Sequence, residues 1–398
     1  MGNVSTSLRF LVNRSLAPFQ TLKNGRRFSG AEALAVAAEH RTGRSDWGDP
    51  HFGGGLHALL EALEELPGLT PLGVVTFGNM IRQSLVNRLL FVGDSLPRNG
   101  LDAPVVITGL PRSGTTALHR MLALDPVFHA PPLWELLDPF SVTSPALKRW
   151  RTRAQITFKN RLVPDLDAKH YTRADTAEEC TLLLANSFAS PLYWDLAPLE
   201  GYREWVQSVD QRPVYEDYRR QLEVLQTSHP GRRLLLKAPA HLGNLAVLHE
   251  VVPEAQLIQI HRDPTTAFFS HCSLRETLSS LVVSQPNREL IAQEVRRVFE
   301  HDLRTNVEFH RGSPDVVAHV ASGRLRSTPL EALEELHCRL GLGWRSDEAG
   351  RLRAFLDRPA GGGPGRHRYS DLGWGVDRDR VEGLFGGYRK AFGWAIES

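Results

Sequence analysis

The stretch from Ala103 to Leu118 restricts the possible folds of this 398-residue chain more than any other. It begins with the apolar, β-branched run 104–107, which is typical of a strand buried on both faces of a parallel sheet. A glycine turn follows at 109–114, and 115–121 reads as the start of a helix. This order points free backbone N–H groups and the positive end of a helix dipole into one concavity, so the sequence predicts an anion-binding loop.

The spacing of this loop is G-x-x-x-x-G-T-T, whereas loops that bind nucleoside triphosphates read G-x-x-x-x-G-K-[ST]. Thr115 stands where the lysine would reach the β- and γ-phosphates, which argues against hydrolysis of ATP or GTP. The cation lies inside the turn instead, as Arg112, and this suits a donor with one phosphate and one reactive anionic group. The alternative interpretation is a purely structural turn in an α/β sheet.

Three further apolar runs predict buried strands, at 233–236, 255–260 and 316–320. Ligands of open α/β sheets bind outside the carboxyl ends of the strands. Lys237 and His241 follow the first of these runs, and Arg262 follows the second, eight residues before Ser270. The sequence therefore predicts an α/β fold in which Lys237 lies where chemistry takes place.

The N-terminal quarter of the chain reads as helices, with leucines at helical spacing between Leu56 and Leu66. We expect a helical cap over 1–100, packed on a main domain over 101–398. Residues 1–31 contain five basic and no acidic side chains. This segment is expected to lie on its own domain, and the alternative is contact with a membrane surface or lipid.

Composition excludes some classes of partner and site. A net charge of +2 gives no reason to expect nucleic acid, and the three cysteines, Cys180, Cys272 and Cys338, lack metal-ligand spacing. The sequence therefore predicts neither a disulfide framework nor a metal site. Arginine strongly outnumbers lysine, which is typical of a GC-rich bacterial genome, and we expect a cytoplasmic protein.

Glu135 has a chemical and a structural interpretation. It follows Leu133 and Trp134 and precedes Leu136, so it is either a surface group or a partly desolvated carboxylate with a raised pKa.

Other candidate side chains lie further along the chain. His170 precedes an acidic patch, 175–180, which we interpret as a helix cap. Tyr193 belongs to an aromatic region that either lines an acceptor pocket or fills the core. Arg366 and Arg368 follow a glycine-rich loop and suit closure over an anion.

The loop L-P-R-S-G-T-T, the Arg262–Ser270 pair and the late basic cluster together resemble sulfotransferases that use 3′-phosphoadenosine-5′-phosphosulfate (PAPS). The most similar group is the bacterial sulfotransferases, which also show L-L-K-[SA]-P-x-H-L and E-E-C segments. The resemblance implies a P-loop-like, three-layer α/β fold around a central parallel sheet of about five strands. It also implies a sulfotransferase activity with PAPS as co-substrate and no metal.

The resemblance further implies roles for individual residues. The 5′-phosphate is held by the loop, made of Pro111, Arg112, Ser113, Gly114, Thr115 and Thr116. Arg262 and Ser270 hold the 3′-phosphate, and Arg366 and Arg368 close over the donor.

The resemblance to two groups of sulfotransferases implies two sets of candidate catalytic residues. Arg112 and Lys237 match cations that tyrosylprotein sulfotransferases place around the sulfuryl group, and Glu135 lies close to their catalytic glutamate. Cytosolic sulfotransferases use a histidine base behind a lysine, so His241 is the rival base. His170 and Tyr193 are expected to contact the acceptor.

We therefore expect in-line sulfuryl transfer to an acceptor hydroxyl, by analogy with phosphoryl transfer. The alternatives are a nucleotide-dependent kinase and a non-catalytic nucleotide-binding module. The acceptor stays open among sugar, lipid, phenol and secondary-metabolite hydroxyls, and so does the oligomeric state.

Overall fold

The computed structural model describes residues 2–17, 25–93, 100–344, 346–357 and 370–396. Its centre is a five-stranded parallel sheet with strand order β2-β3-β1-β4-β5. The strands are β1 Val105–Gly109, β2 Phe128–His129, β3 Arg233–Lys237, β4 Gln256–His261 and β5 Val317–Ala321. The predicted α/β class with a central parallel sheet of five strands is thereby confirmed. The two-residue β2 is the strand that the sequence analysis did not find.

Four helices precede the sheet: α1 Gly2–Leu16, α2 Ala31–Thr42, α3 His51–Glu65 and α4 Pro71–Val92. Between β1 and β3 lie α5 Thr115–Leu122, α6 Leu133–Leu137, α7 Pro145–Leu162, α8 Pro164–Lys169, α9 Thr181–Leu184, α10 Pro191–Leu196, α11 Glu200–Ser208 and α12 Arg212–Ser228. The four helices α1–α4 agree with the helices predicted for the N-terminal segment, within the residues that the structure describes.

The remaining helices surround β4 and β5. They are α13 Leu245–Val251, α14 Pro264–Ser279, α15 Arg288–Gly312, α16 Arg324–Ser327, α17 Pro329–Arg339, α18 Ser346–Leu356, α19 Arg378–Leu384 and α20 Gly386–Ile396, with short 3₁₀ helices at Ala185–Ser187 and Pro239–Asn244. The Asp263–Pro264 pair starts α14 as the sequence indicates, because the Asp263 carboxylate accepts a hydrogen bond from the Thr266 N–H at 2.8 Å.

Alternate strand residues enter two hydrophobic clusters, because successive side chains of a strand point to opposite faces of the sheet. Val106 and Leu234 join one cluster with the leucines of α3 and α4. Val105 and Leu235 join the other with Leu118 of α5. The sheet is thus covered on both faces, and its carboxyl edge is the part left for a site.

The N-terminal helices are also joined to the rest of the molecule by a buried ion pair. Arg88 of α4 is fully buried and donates a 2.5 Å hydrogen bond to the carboxylate of Asp217 in α12. Its Nη2 atom donates to the carbonyl of Asp49 at 2.9 Å. In the described ranges, no helix combines the length and the apolar composition needed to cross a membrane.

Candidate active site

The loop between β1 and α5 needs backbone conformations that only small residues adopt without strain. Gly109 has φ of 141° and Gly114 has φ of 108°, both in the left-handed half of the map. A Cβ atom on Gly109 would lie 2.5 Å from the carbonyl oxygen of Ile260 in β4. Arg112 also has a positive φ, 70°, which turns its side chain away from the path of the strand. The glycine positions in the motif are therefore required by the geometry of the turn.

Unsatisfied donors line the inside of this loop. Helix α5 begins at Thr115, and its N-cap residue, Gly114, has no side chain to cap the helix. The N–H groups of Thr115 and Thr116 therefore have no intrahelical acceptors, whereas those of Ala117 and Leu118 donate to the carbonyl of Gly114. The hydroxyl of Ser113 is buried and has no hydrogen-bond partner among the described residues. These donors fit a bound phosphate.

Arg112 connects the loop to the residues that follow β4. Its Nε atom donates to the hydroxyl of Ser270 at 3.2 Å, and its Nη1 atom donates to the carbonyl of Lys169 at 2.9 Å. Arg262 donates from Nη1 to the carbonyl of Arg112 at 2.5 Å. The fold thus brings Arg112, Arg262 and Ser270 together, although 150 residues separate the two arginines.

Lys237 lies at the carboxyl end of β3, with its side chain fully buried. Its Nζ atom is 2.7 Å from a carboxylate oxygen of Glu179 and 3.2 Å from the hydroxyl of Thr116. Glu179 is the more accessible partner, with 29% of its side chain exposed. A lysine, a carboxylate and the first turn of α5 therefore meet at one point.

The acidic patch that contains Glu179 is not a helix cap, which corrects our expectation. Helix α9 begins only at Thr181, and no side chain caps it. The patch instead starts in a turn and forms an isolated antiparallel bridge from Ala177 to Pro132, and the N–H of Cys180 then donates to the carbonyl of Lys237 at 3.0 Å. This backbone pairing positions Glu179 at Lys237.

Glu178 lies beside His170, whereas its neighbour Glu179 bonds to Lys237. Glu178 is buried, and one of its carboxylate oxygens is 3.8 Å from Nε2 of His170. Burial alone would raise the pKa of Glu178, but the charges of His170 and Lys237 hold it below its ordinary value. Burial lowers the pKa of His170. His170 thus lies on the wall of the site, one residue after the Lys169 carbonyl that Arg112 contacts.

Glu135 is held in a cluster with two histidines rather than against Lys237. Its two carboxylate oxygens accept hydrogen bonds from Nε2 of His129 at 2.9 Å and from Nε2 of His229 at 2.7 Å. Burial raises the pKa of Glu135, but the two histidines lower it by more, to about 2. The expectation of a raised pKa was therefore wrong, because both histidines come from other segments.

His241 is fully buried behind β3. Its Nδ1 atom is 2.8 Å from the hydroxyl of Tyr215, and its Nε2 atom is 3.4 Å from the thiol of Cys180. Burial lowers its pKa to about 3. Both ring nitrogens are thus engaged with core side chains, so the geometry does not favour His241 as the base.

Tyr193 fills the core instead of lining a pocket. It is fully buried, and its hydroxyl lies 3.1 Å from that of Ser84. The expected acceptor contact is corrected accordingly, since no part of Tyr193 reaches solvent. Arg366 and Arg368 lie outside the described residues.

Comparison with known proteins agrees with this architecture. A model of the sulfotransferase family matches residues 104–346, more than half of the chain. Proteins named omega-hydroxy-beta-dihydromenaquinone-9 sulfotransferase Stf3, from Mycobacterium bovis and Mycobacterium tuberculosis, are 27% identical to it over 265 residues, covering 64% of this chain and 67% of theirs.

Two solved structures extend the likeness to nearly the whole fold. Sulfotransferase STF1 from Mycobacterium tuberculosis H37Rv superposes with a TM-score of 0.75 at 25% identity, over 90% of this chain and 99% of that one. Sulfotransferase STF9 from Mycobacterium avium gives a TM-score of 0.79 at 21% identity, over 92% and 97%. The family match, the named relatives and the shared fold agree with the loop and its cations, and the chain belongs to the sulfotransferase family.

Proposed function

We propose that this sulfotransferase takes its sulfuryl group from PAPS and transfers it to the hydroxyl of a small molecule. The observation that carries the proposal is that Arg112, Arg262 and Ser270 lie together beside the N-terminus of α5, which no side chain caps. A donor with a 5′-phosphosulfate and a 3′-phosphate offers one anionic group to each part of this arrangement. We assign the reaction to the cytoplasm, since all three cysteines are free thiols.

In the proposed reaction, the bond from sulfur to the bridging phosphate oxygen breaks while the acceptor oxygen bonds to sulfur in line. Backbone N–H groups at 114–116 and the hydroxyls of Thr115 and Thr116 hold the 5′-phosphate, whereas the N–H of Ser113 donates to the carbonyl of Leu110. Lys237 and Arg112 stabilise the negative charge that develops on the bridging and sulfuryl oxygens. These side chains supply the positive charge, so the scheme needs no metal.

Glu179 is our choice for the group that accepts the acceptor's proton. In the resting site its carboxylate is the anionic partner of buried Lys237. A bound phosphosulfate supplies Lys237 with another anion, which leaves the partly exposed Glu179 to bind the acceptor hydroxyl. Glu135 and His241, the bases suggested by the sequence, keep their basic atoms on other side chains.

The acceptor class follows from the relatives. The name of Stf3 gives a hydroxylated menaquinone as its acceptor. That name favours a lipid hydroxyl among the acceptors left open by the sequence. We propose that His170, on the wall of the site, contacts this acceptor.

Donor binding tests the proposal first. 3′-Phosphoadenosine-5′-phosphate should raise the melting temperature without magnesium, since ligand at 100 times its Kd adds about 2.7 kcal/mol. Arg262→Ala should weaken its binding by about 10- to 100-fold and that of adenosine 5′-phosphate far less, because a charged hydrogen bond is lost. Arg304→Ala, at an exposed helical position, is the matched control.

Two results would contradict the donor assignment. Equal stabilisation by ATP with magnesium would favour a kinase. Binding of the nucleotide without sulfuryl transfer from PAPS to any hydroxyl, followed by mass spectrometry, would favour a non-catalytic nucleotide-binding module.

A further inference from the structure

Helix α7 carries an apolar stripe on its solvent side. Leu147, Trp150, Ala154 and Phe158 follow the i, i+3, i+7, i+11 spacing of a single helix face. Trp150 is 66% exposed and Phe158 46% exposed. Large apolar side chains that stay this exposed keep much of their contact with water, so they gain only part of the stabilisation that full burial gives.

The buried side of the same helix is half polar. Lys148 and Thr152 are buried there together with Ile156 and Leu162. Trp150 and Phe158, the largest apolar side chains of α7, are therefore on the exposed side of the helix. A contiguous exposed apolar stripe of this kind marks a surface that binds something.

The charge of α7 is entirely positive. The helix contains six lysine and arginine residues and no acidic residue. Arg149 and Arg153 both pair with Asp175, whereas in the described ranges no carboxylate lies within ion-pair distance of Arg151 or Arg161. These two arginines lie on the same outward side as the apolar stripe and can bind anionic groups of a partner.

Helix α1 extends this surface. It packs against α7, and its inward residues Leu8 and Leu16 share a hydrophobic cluster with Leu162 from the end of α7. Its outward residues are Phe10, 64% exposed, and Leu11, 57% exposed. Arg9 and Arg14 are the only charged residues of α1. We call α1 and α7 together the basic apolar face.

We propose that the basic apolar face docks on an anionic membrane surface. Its aromatic and leucine side chains would enter the boundary between headgroups and acyl chains, while Arg14, Arg151 and Arg161 bind lipid phosphates. The charge complementarity selects an anionic bilayer, because exposed tryptophan and phenylalanine alternate with unpaired arginines along helices that contain no acidic residue.

The position of this face also bears on the acceptor, a step that rests on the proposed function. Helix α8 follows α7 directly and ends at Lys169, whose carbonyl accepts a hydrogen bond from Arg112. Arg149 and Arg153 of α7 also pair with Asp175, four residues before Glu179. We therefore expect a membrane-borne acceptor to reach the sulfuryl-transfer site from the side of α7.

Sedimentation with vesicles tests the docking surface. The full chain should bind vesicles of phosphatidylcholine with phosphatidylglycerol, bind phosphatidylcholine alone weakly, and lose affinity as salt is raised. The double variant Trp150→Ser, Phe158→Ser should bind at least tenfold more weakly, and so should Arg151→Glu, Arg161→Glu. Leu372→Ser with Arg304→Glu, at exposed positions elsewhere, should change nothing.

Activity on two acceptors separates this proposal from the proposed function. Transfer to a short-chain, water-soluble alcohol should be unchanged in the Trp150 and Phe158 variant, while transfer to a vesicle-borne lipid alcohol falls. Unaltered vesicle binding by that variant would overturn the proposal. So would light scattering that shows a dimer in the parent chain and a monomer in the variant, without vesicle binding by either, because a second copy would then cover the face.

Discussion

At the scale of single residues, Glu135 and Glu179 show how partners decide what a carboxylate does. Glu135 has apolar neighbours in sequence and burial raises its pKa, but hydrogen bonds from His129 and from His229, which lies 94 residues later, lower that pKa to about 2. Glu179 looks like a helix-capping acid in sequence, but it pairs with Lys237, 58 residues later. Neither His229 nor Lys237 can be identified as a partner from sequence spacing, because both contacts depend on how β3 is placed.

Separation in sequence also decides how well the other candidate residues could be predicted. The Arg262–Ser270 pair was found because the two residues share one strand–helix unit, and both lie at the loop. The E-E-C segment gave a signal for Glu179 that was assigned to capping, since acids before a helix usually serve that purpose.

Substitution of each glutamate by glutamine distinguishes the roles of Glu135 and Glu179. Glu179→Gln should lower kcat by roughly 10²–10⁴-fold with donor affinity nearly intact, as loss of a general base does. Glu135→Gln should leave kcat within a few-fold of the parent value in the folded enzyme. The acidic limb of the kcat/KM profile should disappear only in Glu179→Gln.

A collapse of kcat in Glu135→Gln, with normal turnover in Glu179→Gln, would return the role of base to Glu135. Collapse in His241→Ala alone, in a correctly folded variant, would transfer it to the histidine.

At the scale of elements, the unit of β1, loop and α5 was predictable almost completely. Its strand, turn glycines and helix start are all local in sequence and coincide with the observed β1 and α5. β2 was not predictable, because two residues are too few to show a period. The backbone contacts at 178–180 were missed for a related reason: their partners, the carbonyls of Pro131 and Lys237, are distant in the chain.

The turn at Gly109 gives a prediction for this unit. Gly109→Ala introduces a Cβ atom 2.5 Å from the Ile260 carbonyl at a φ of 141°. The strain should cost about 1–3 kcal/mol and weaken donor binding as the loop shifts. Urea unfolding and nucleotide titration measure the two effects.

Gly383→Ala is the matched control, because an added Cβ atom there meets no other atom within 4 Å. It should leave both quantities unchanged or raise stability slightly, since alanine is the better helix former. Equal behaviour of the two variants would mean that the loop tolerates a side chain at its first glycine.

At the scale of the whole molecule, Glu135 connects three parts of the chain through its bonds to His129 in β2 and His229 after α12. Its pKa falls from 4.5 to about 2 on folding. A lowered folded-state pKa adds stability above the unfolded value, and this stability disappears as pH falls through the folded value. The contribution should be about 3 kcal/mol above pH 5 and vanish towards pH 2.

Urea unfolding of the parent chain and Glu135→Gln measures this contribution. The difference in unfolding free energy should be large at pH 7 and smaller at pH 3.5. A difference that stays constant between these pH values would show that ionisation of Glu135 does not stabilise the fold.

The helices before residue 100 share their core with the sheet rather than forming a separate one. Leucines of α3 and α4 pack in the same cluster as Val106 of β1 and Leu234 of β3. Their helical period is visible in the spacing of the leucines, but the cluster depends on contacts across more than 100 residues, which no local pattern reveals.

The register of β1 has a consequence for biosynthesis. Val105 pairs with Leu235 on one side and with Gln256 on the other, so both neighbours of β1 are made long after it. A ribosome must therefore translate beyond β4 before the anion-binding loop has a wall on each side. Until then the nascent chain presents an unpaired apolar strand that chaperones would cover. Truncated translation products ending before residue 256 should accordingly bind no nucleotide at all.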